Sequence, residues 1–403
     1  MRHHSIVAFS IIILFITVKS ISAQTMRLVS LNNKDATCND GSRSAFYVDE
    51  EVDNDNVWLI HLQGGGWCFS KETCDIRHDV VPHLMTNSSW SELYQPQNGS
   101  IFSFFRNKVF VPYCSSDGWI GNTDVDGNQF RGRTIVKSLF QQLHETYNLS
   151  QKTIVFSGCS AGGRGGITSS FFTSFFTRVR HCVHTKTVMH NINLVREQVL
   201  MYNIKRLIGL IDSGEYIDLP LYNPLSSTAM GTRLRDQALG VVKYLNATIS
   251  KECASFYPNA KEKCLMGETA FRTIRSPFIA HSFQFDSYQN SVNFGPTVTP
   301  SEIERNASMK SFENTFRDRT RNVLLNLAEN RSFNEFGYHS SACWHHCNTE
   351  SSSFSTGFFV NGSSLSDVLL NFLKNNKTNL RVMESCEGIV CGADCTRDKN
   401  AFI

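Results

Sequence analysis

The chain has 403 residues, 41% hydrophobic and 19% charged, enough apolar material to bury a large core. Its formal net charge is only +3 and no long basic run concentrates it, which argues against nucleic acid as a partner. Beyond the N-terminal stretch no segment is apolar over the roughly 20 residues that cross a bilayer, so no stable membrane insertion is expected of the processed chain.

In chain order, Arg2, His3 and His4 precede an apolar run from Ile6 to Val18, followed by the small residues Ser20, Ser22 and Ala23. A charged start, a short apolar middle and a small-residue end read as a signal peptide over 1–23, cleaved after Ser22 or Ala23. Residues 24–403 then form one domain, secreted to the extracellular space. Two further features fit export. Thirteen cysteines are many for a reducing compartment, and Asn-X-Ser/Thr sequons occur at Asn87, Asn98, Asn148, Asn246, Asn306, Asn330, Asn361 and Asn376.

Apolar runs rich in β-branched residues predict strands at Val57–Leu62, Val109–Tyr113, Thr153–Ser157, Arg206–Ile211 and Phe278–Phe285. Between two of them Ile135, Val136, Leu139, Phe140 and Leu143 share one helical face, and Arg321–Ala328 and Ser366–Lys374 also read as helical. This alternation predicts an α/β fold with a mainly parallel sheet covered on both faces by helices. Residues 167–205 give no clear signal beyond Phe171, Phe172, Phe175 and Phe176, expected to pack a helix on the sheet.

Two glycine motifs follow predicted strands. Gly158-Cys159-Ser160-Ala161-Gly162 stands after Thr153–Ser157 and before a helix-like segment, the context of a nucleophile elbow with Ser160 at its tip. This is the arrangement of α/β-hydrolases. Gly64-Gly65-Gly66 follows Val57–Leu62, where consecutive glycines let backbone N–H groups approach a substrate oxygen. The expected oxyanion hole is Gly65, Gly66 and the N–H of Ala161. A serine needs a histidine base oriented by an acid, in the chain order Ser, acid, His. Spacing alone allows Asp212 or Asp286 as the acid and His339, His345 or His346 as the base.

Cysteine spacing suggests small loops at Cys68/Cys74 and Cys253/Cys264, with Cys159, inside the elbow, as the expected free thiol of an odd set. Cys343, Cys347, Cys386, Cys391 and Cys395 have spacings reminiscent of zinc sites, but disulfides are the ordinary use in an exported chain. No metal and no cofactor are expected.

Taken together, the motifs resemble the pectin acetylesterase family, whose animal branch is the Notum-type deacylases. The likeness runs through Thr37–Ser42, Gly64-Gly65-Gly66-Trp67-Cys68, Pro112–Asp117, Gly158–Gly163, Asp212-Ser213-Gly214, Phe285–Gln289, Cys343–Cys347 and the segment from Ser385-Cys386 to Cys395. The resemblance implies a secreted carboxylic-ester hydrolase with Asp286, in an Asp-x-x-Gln pattern, as the acid and His346, three residues after Cys343, as the base. Trp67, Asp117 and Asp212 are expected to line the substrate site, and His345 to face solvent. The implied substrate is an acylated polysaccharide losing O-acetyl groups. An acylated secreted protein losing a fatty acyl ester is the alternative, and a silent binding protein on the same fold is a third. Gly66 stands where the Notum-type loop carries an aromatic, which favours the first.

Overall fold

The backbone of the computed structural model follows the predicted alternation. Its described residues are 25–51, 56–160, 191–192, 195–196, 200–222, 232–330, 335–378, 380–392 and 394–395. The signal segment, the four phenylalanines at 171–176 and most of 167–205 lie outside them.

The strands are β1 Met26–Ser30, β2 Ala45–Asp49, β3 Val57–Leu62, β4 Leu93–Tyr94, β5 Asn107–Val111, β6 Thr123–Val125, β7 Asn128–Phe130, β8 Thr153–Cys159, β9 Arg206–Asp212, β10 Phe278–Phe283, β11 Phe336–Ser341 and β12 Arg381–Met383. Apart from the β6–β7 ribbon they form one ten-stranded sheet in the order β12-β11-β10-β9-β8-β3-β5-β2-β1-β4. Every pairing from β12 to β5 is parallel. The pairings β5–β2, β2–β1 and β1–β4 are antiparallel.

The mainly apolar runs of the central strands follow from burial on both faces. Trp58, Ile60 and Leu62 of β3 and Ile154 and Phe156 of β8 face one core, together with Ile135, Val136, Leu139, Phe140 and Leu143 of helix Gly132–Tyr147. Phe316, Leu324 and Leu327 of helix Ala307–Asn330 join that core, a helix read from the sequence only over its last part. Leu59, Val155, Ile208 and Ile279 face the other core, covered by Leu365, Val368, Leu369 and Phe372 of helix Leu365–Leu373.

The cysteines correct one expectation. Disulfides join Cys38–Cys114, Cys68–Cys74, Cys159–Cys347, Cys253–Cys264, Cys343–Cys395 and Cys386–Cys391. Cys159 is therefore not free, because the loop after β11 carries Cys347 onto the elbow. The remaining cysteine, Cys182, lies outside the described residues. Cys159, Asp212 and Cys347 cluster at metal-ligand spacing, but both sulfurs are bonded to one another and offer no thiolate.

The β10–β11 register sets His281 opposite His339 in the closed interior. Their Nδ1 atoms are 3.1 Å apart, and His339 Nε2 reaches Ser363 O at 3.2 Å. Burial holds each imidazole down at about 3. A folded pKa below the unfolded value near 6.5 contributes stability that is present above pH 6.5 and lost as the pH falls toward 3. The melting temperature is therefore expected to drop between pH 6.5 and 4, with a shallower drop in His339→Asn when both are followed by calorimetry. An unchanged slope in that variant would remove the pair as the cause.

Candidate active site

The sheet order reverses direction at β3, which has β5 on one side and β8 on the other. In open α/β sheets ligands bind beyond the carboxyl ends of the strands at such a point. Backbone strain marks the same edge. Residues with positive φ follow β3 (Gly65 +152°, Gly66 +72°), β5 (Ser116 +50°, Trp119 +62°), β8 (Ser160 +36°), β9 (Ser213 +55°) and β11 (Cys347 +67°). Each such non-glycine costs on the order of 1–3 kcal/mol and persists only where surrounding structure imposes it.

The glycine loop after β3 is held from behind. Tyr113 Oη donates to Gly66 O at 2.8 Å and accepts from Gly118 N at 2.7 Å, pinning the loop to the turn after β5. A side chain at Gly65 would strike Leu84 Cδ1 at 2.6 Å. Arg77, fully buried, crosses the Tyr113 ring at 5.7 Å and donates from Nε to Ser116 Oγ at 2.7 Å. Burial lowers this guanidinium to about 10, so it stays charged at neutral pH.

Ser160 follows β8 directly, its N–H donating to Asp212 O at 2.9 Å. Its Oγ lies 3.0 Å from Tyr216 Oη. Beyond β10, Asp286 caps helix Ser287–Phe294, accepting from Gln289 N at Oδ1 (2.8 Å). The cap leaves Oδ2 to meet His346 Nδ1 at 2.5 Å. With Nδ1–H given to the carboxylate, the lone pair sits on Nε2, which is buried and has no hydrogen-bond partner among the described residues. The His346 ring also packs 5.4 Å from that of Tyr288.

Ser160 and His346 lie beyond β8 and β11, far apart in sequence, and their neighbours in the chain are bonded to one another through Cys159–Cys347. The polar chemistry of Asp212 reinforces that tie. Its Oδ2 accepts from Asn348 N, Thr349 N and Thr349 Oγ1, each at 2.7 Å, while Ser213 Oγ accepts from Cys347 N at 3.0 Å. Two buried carboxyls stand near Asp286. Burial raises Glu215 well above the carboxylate range, and Glu313, hydrogen-bonded by Asn290 at 2.6 Å, is pushed up to about 8.

Of the sequence candidates, Asp286 and His346 meet. Ser160, Gly65 and Gly66 share their sheet edge, whereas Ala161 falls outside the described residues. The three residues expected to line the substrate site turn their polar groups to protein partners. Trp67 Nε1 donates to Gln237 Oε1 at 3.1 Å. Asp117 accepts from Ser115 Oγ, Trp119 N and Gly132 N, each at 2.7 Å, so it organises the turn and the start of helix Gly132–Tyr147. Asp212 joins the elbow to the histidine loop. His345, expected in solvent, is half-buried between Phe283 and Phe358, with ring centroids 5.1 and 4.9 Å away. His339 is held inside the sheet. Sequence reasoning missed Tyr216 and Tyr288, although Tyr216 stands just beyond the Asp212-Ser213-Gly214 motif at a strand's carboxyl end.

Comparison with known proteins identifies the family and the fold. A family model described as pectinacetylesterase matches residues 18–396. The chain is similar to the palmitoleoyl-protein carboxylesterase notum1 of Xenopus laevis, 29% identical over 283 residues, covering 66% of this chain and 53% of that protein. It is likewise similar to the palmitoleoyl-protein carboxylesterase NOTUM of Homo sapiens, 28% identical over 285 residues, covering 67% and 53%. The chain thus spans about half the length of these curated relatives. A solved structure of the Wnt deacylase Notum from Drosophila superposes with a TM-score of 0.75 over 92% of this chain and 100% of that one, at 22% identity. The fold is that of the α/β-hydrolases.

Proposed function

The chain belongs to the pectinacetylesterase family, and we propose that its residues 24–403 form a single-domain secreted serine carboxylesterase removing O-acetyl groups from polysaccharide. The observation that carries this reading is the Asp286–His346 pair with an available Nε2, tied through Cys159–Cys347 to an elbow serine. In the proposed mechanism His346 Nε2 takes the proton of Ser160 as Oγ attacks the ester carbonyl. Asp286 fixes the tautomer and stabilises the imidazolium. Backbone N–H groups of Gly65, Gly66 and Ala161 receive the oxyanion, each worth a few kcal/mol. The same proton then passes to the departing sugar hydroxyl, leaving an acetyl-serine that water cleaves with His346 again as the base.

Export is part of the proposal. Its supports are the signal-like start, six disulfides, and the exposure of the sequon asparagines Asn98, Asn148, Asn246, Asn306, Asn361 and Asn376. No described helix is long and apolar enough to cross a membrane. A second reading, removal of a fatty acyl ester from a secreted protein, is favoured by the named activity of the relatives. Acetate release from acetylated pectin, set beside deacylation of a palmitoleoylated serine peptide, separates the two. The first substrate is expected to be turned over at least tenfold more efficiently. Efficient cleavage of the peptide alone would transfer the proposal to the second reading.

A further inference from the structure

We infer that Tyr216 is a specificity-determining residue that restricts the ester's acyl group to acetyl or a similarly short chain. This rests on Ser160 being the nucleophile, as proposed above. The carbonyl carbon under attack must come within about 3–3.5 Å of Ser160 Oγ. Tyr216 Oη already stands 3.0 Å from that atom, so its phenol occupies part of the space into which the acyl substituent extends. The rest of the ring is buried in an apolar cluster with Trp67, Tyr288, Leu234, Ala238 and Met266. The phenol therefore stands between the nucleophile and an apolar interior in which a long alkyl chain would find favourable surroundings.

Tyr216 is also fixed in place. Its carbonyl accepts from Gly267 N at 2.8 Å. At the next residue, Ile217 N donates to Gln289 Oε1 at 3.1 Å, and Ile217 O accepts from Gln289 Nε2 at 2.7 Å. Gln289 lies in the first turn of the helix capped by Asp286, so the wall at Tyr216 and the acid are built from one piece. The Tyr216 ring packs 5.6 Å from that of Tyr288, which in turn packs against His346. A chain longer than acetyl has to displace a clamped aromatic or leave its buried hydroxyl without its serine partner, and both disfavour it. An acetyl methyl does neither.

The test compares kcat/KM for p-nitrophenyl acetate and p-nitrophenyl octanoate in wild type, Tyr216→Ala and Tyr216→Leu, with folding checked by circular dichroism. Wild type is expected to favour acetate at least tenfold. Truncation opens a path to the apolar cluster, so the octanoate value should rise in absolute terms and the acetate-to-octanoate ratio should fall at least tenfold. The leucine variant keeps much of the buried volume, is read by the same ratio, and stands in should the alanine variant fail to fold. A ratio within twofold of wild type in a folded, active variant overturns the assignment while leaving the esterase reading in place. A wild type that prefers octanoate overturns it as well. Hydrolysis that persists undiminished in Ser160→Ala removes the nucleophile on which both inferences stand.

Discussion

Replacing His346 by alanine is expected to lower kcat for ester hydrolysis roughly 10⁴-fold or more with little change in KM. A factor of 10⁴ corresponds to about 5.5 kcal/mol of barrier. The loss falls on kcat because the proton transfer to Nε2 is made only on the way to the transition state. Asp286→Asn should lower kcat comparably. One oxygen of Asp286 is committed to the helix cap and the other to His346 Nδ1, so an amide there disturbs the tautomer while leaving the helix start largely intact. His345→Ala serves as the neighbouring control. Its ring sits against Phe283 and Phe358 rather than Asp286, and its loss should change kcat by no more than roughly tenfold. Steady-state kinetics on purified variants of matched circular dichroism decide the matter. A dead His345→Ala beside an active His346→Ala would move the base by one residue.

The second large effect concerns the covalent tie between the elbow and the histidine loop. Exchanging both Cys159 and Cys347 for serine removes a bridge across 188 residues. Chain-entropy arguments put the stability lost for so long a loop at about 5 kcal/mol, an upper figure because other cross-links and residual structure already restrain the unfolded chain. Activity should fall further than stability explains. Below the melting temperature of the variant, kcat is expected to drop at least tenfold, since hydrogen bonds to Asp212, Ser213, Asp286 and Ser287 then hold the histidine loop in register with Ser160 without a covalent tie. Differential scanning calorimetry together with kcat on the folded variant separates the two contributions. A folded double variant with wild-type kcat would show that those hydrogen bonds suffice.

Five strands of the parallel half of the sheet were legible in the sequence because they are buried on both faces and so appear as short, mainly apolar runs. Val57–Leu62 coincides with β3, and the others differ only at their ends. β11 escaped notice for the opposite reason. Its segment Phe336–Ser341 includes Gly337, His339, Ser340 and Ser341, polar or small residues that are nevertheless buried, and His339 is satisfied by partners the local sequence does not reveal. The antiparallel strands β1 and β4 lie toward one edge of the sheet and are only partly buried, so burial demands less of their sequence, whereas β2, buried over Ala45–Val48, is a run too short to stand out. At the site, the glycines and the elbow serine were legible because strained turns restrict residue choice. The choice among acids and bases was not a matter of spacing. It depends on Asp286 capping one helix while facing a loop 60 residues away, a relation of tertiary structure. Likewise Asp212, a candidate acid in sequence, and Asp117, expected to line the substrate site, turn their oxygens to backbone groups that would otherwise be buried unpaired.

The role of Ser160 as the nucleophile is read from the rate of p-nitrophenyl acetate hydrolysis by Ser160→Ala, purified beside wild type and matched to it in circular dichroism and melting temperature. The substitution removes one oxygen from a position whose backbone N–H remains bonded to Asp212 O, so folding should be retained. Hydrolysis is expected to be indistinguishable from the uncatalysed background. A folded Ser160→Ala protein retaining more than about a tenth of wild-type kcat, a barrier change below about 1.4 kcal/mol, would contradict that role.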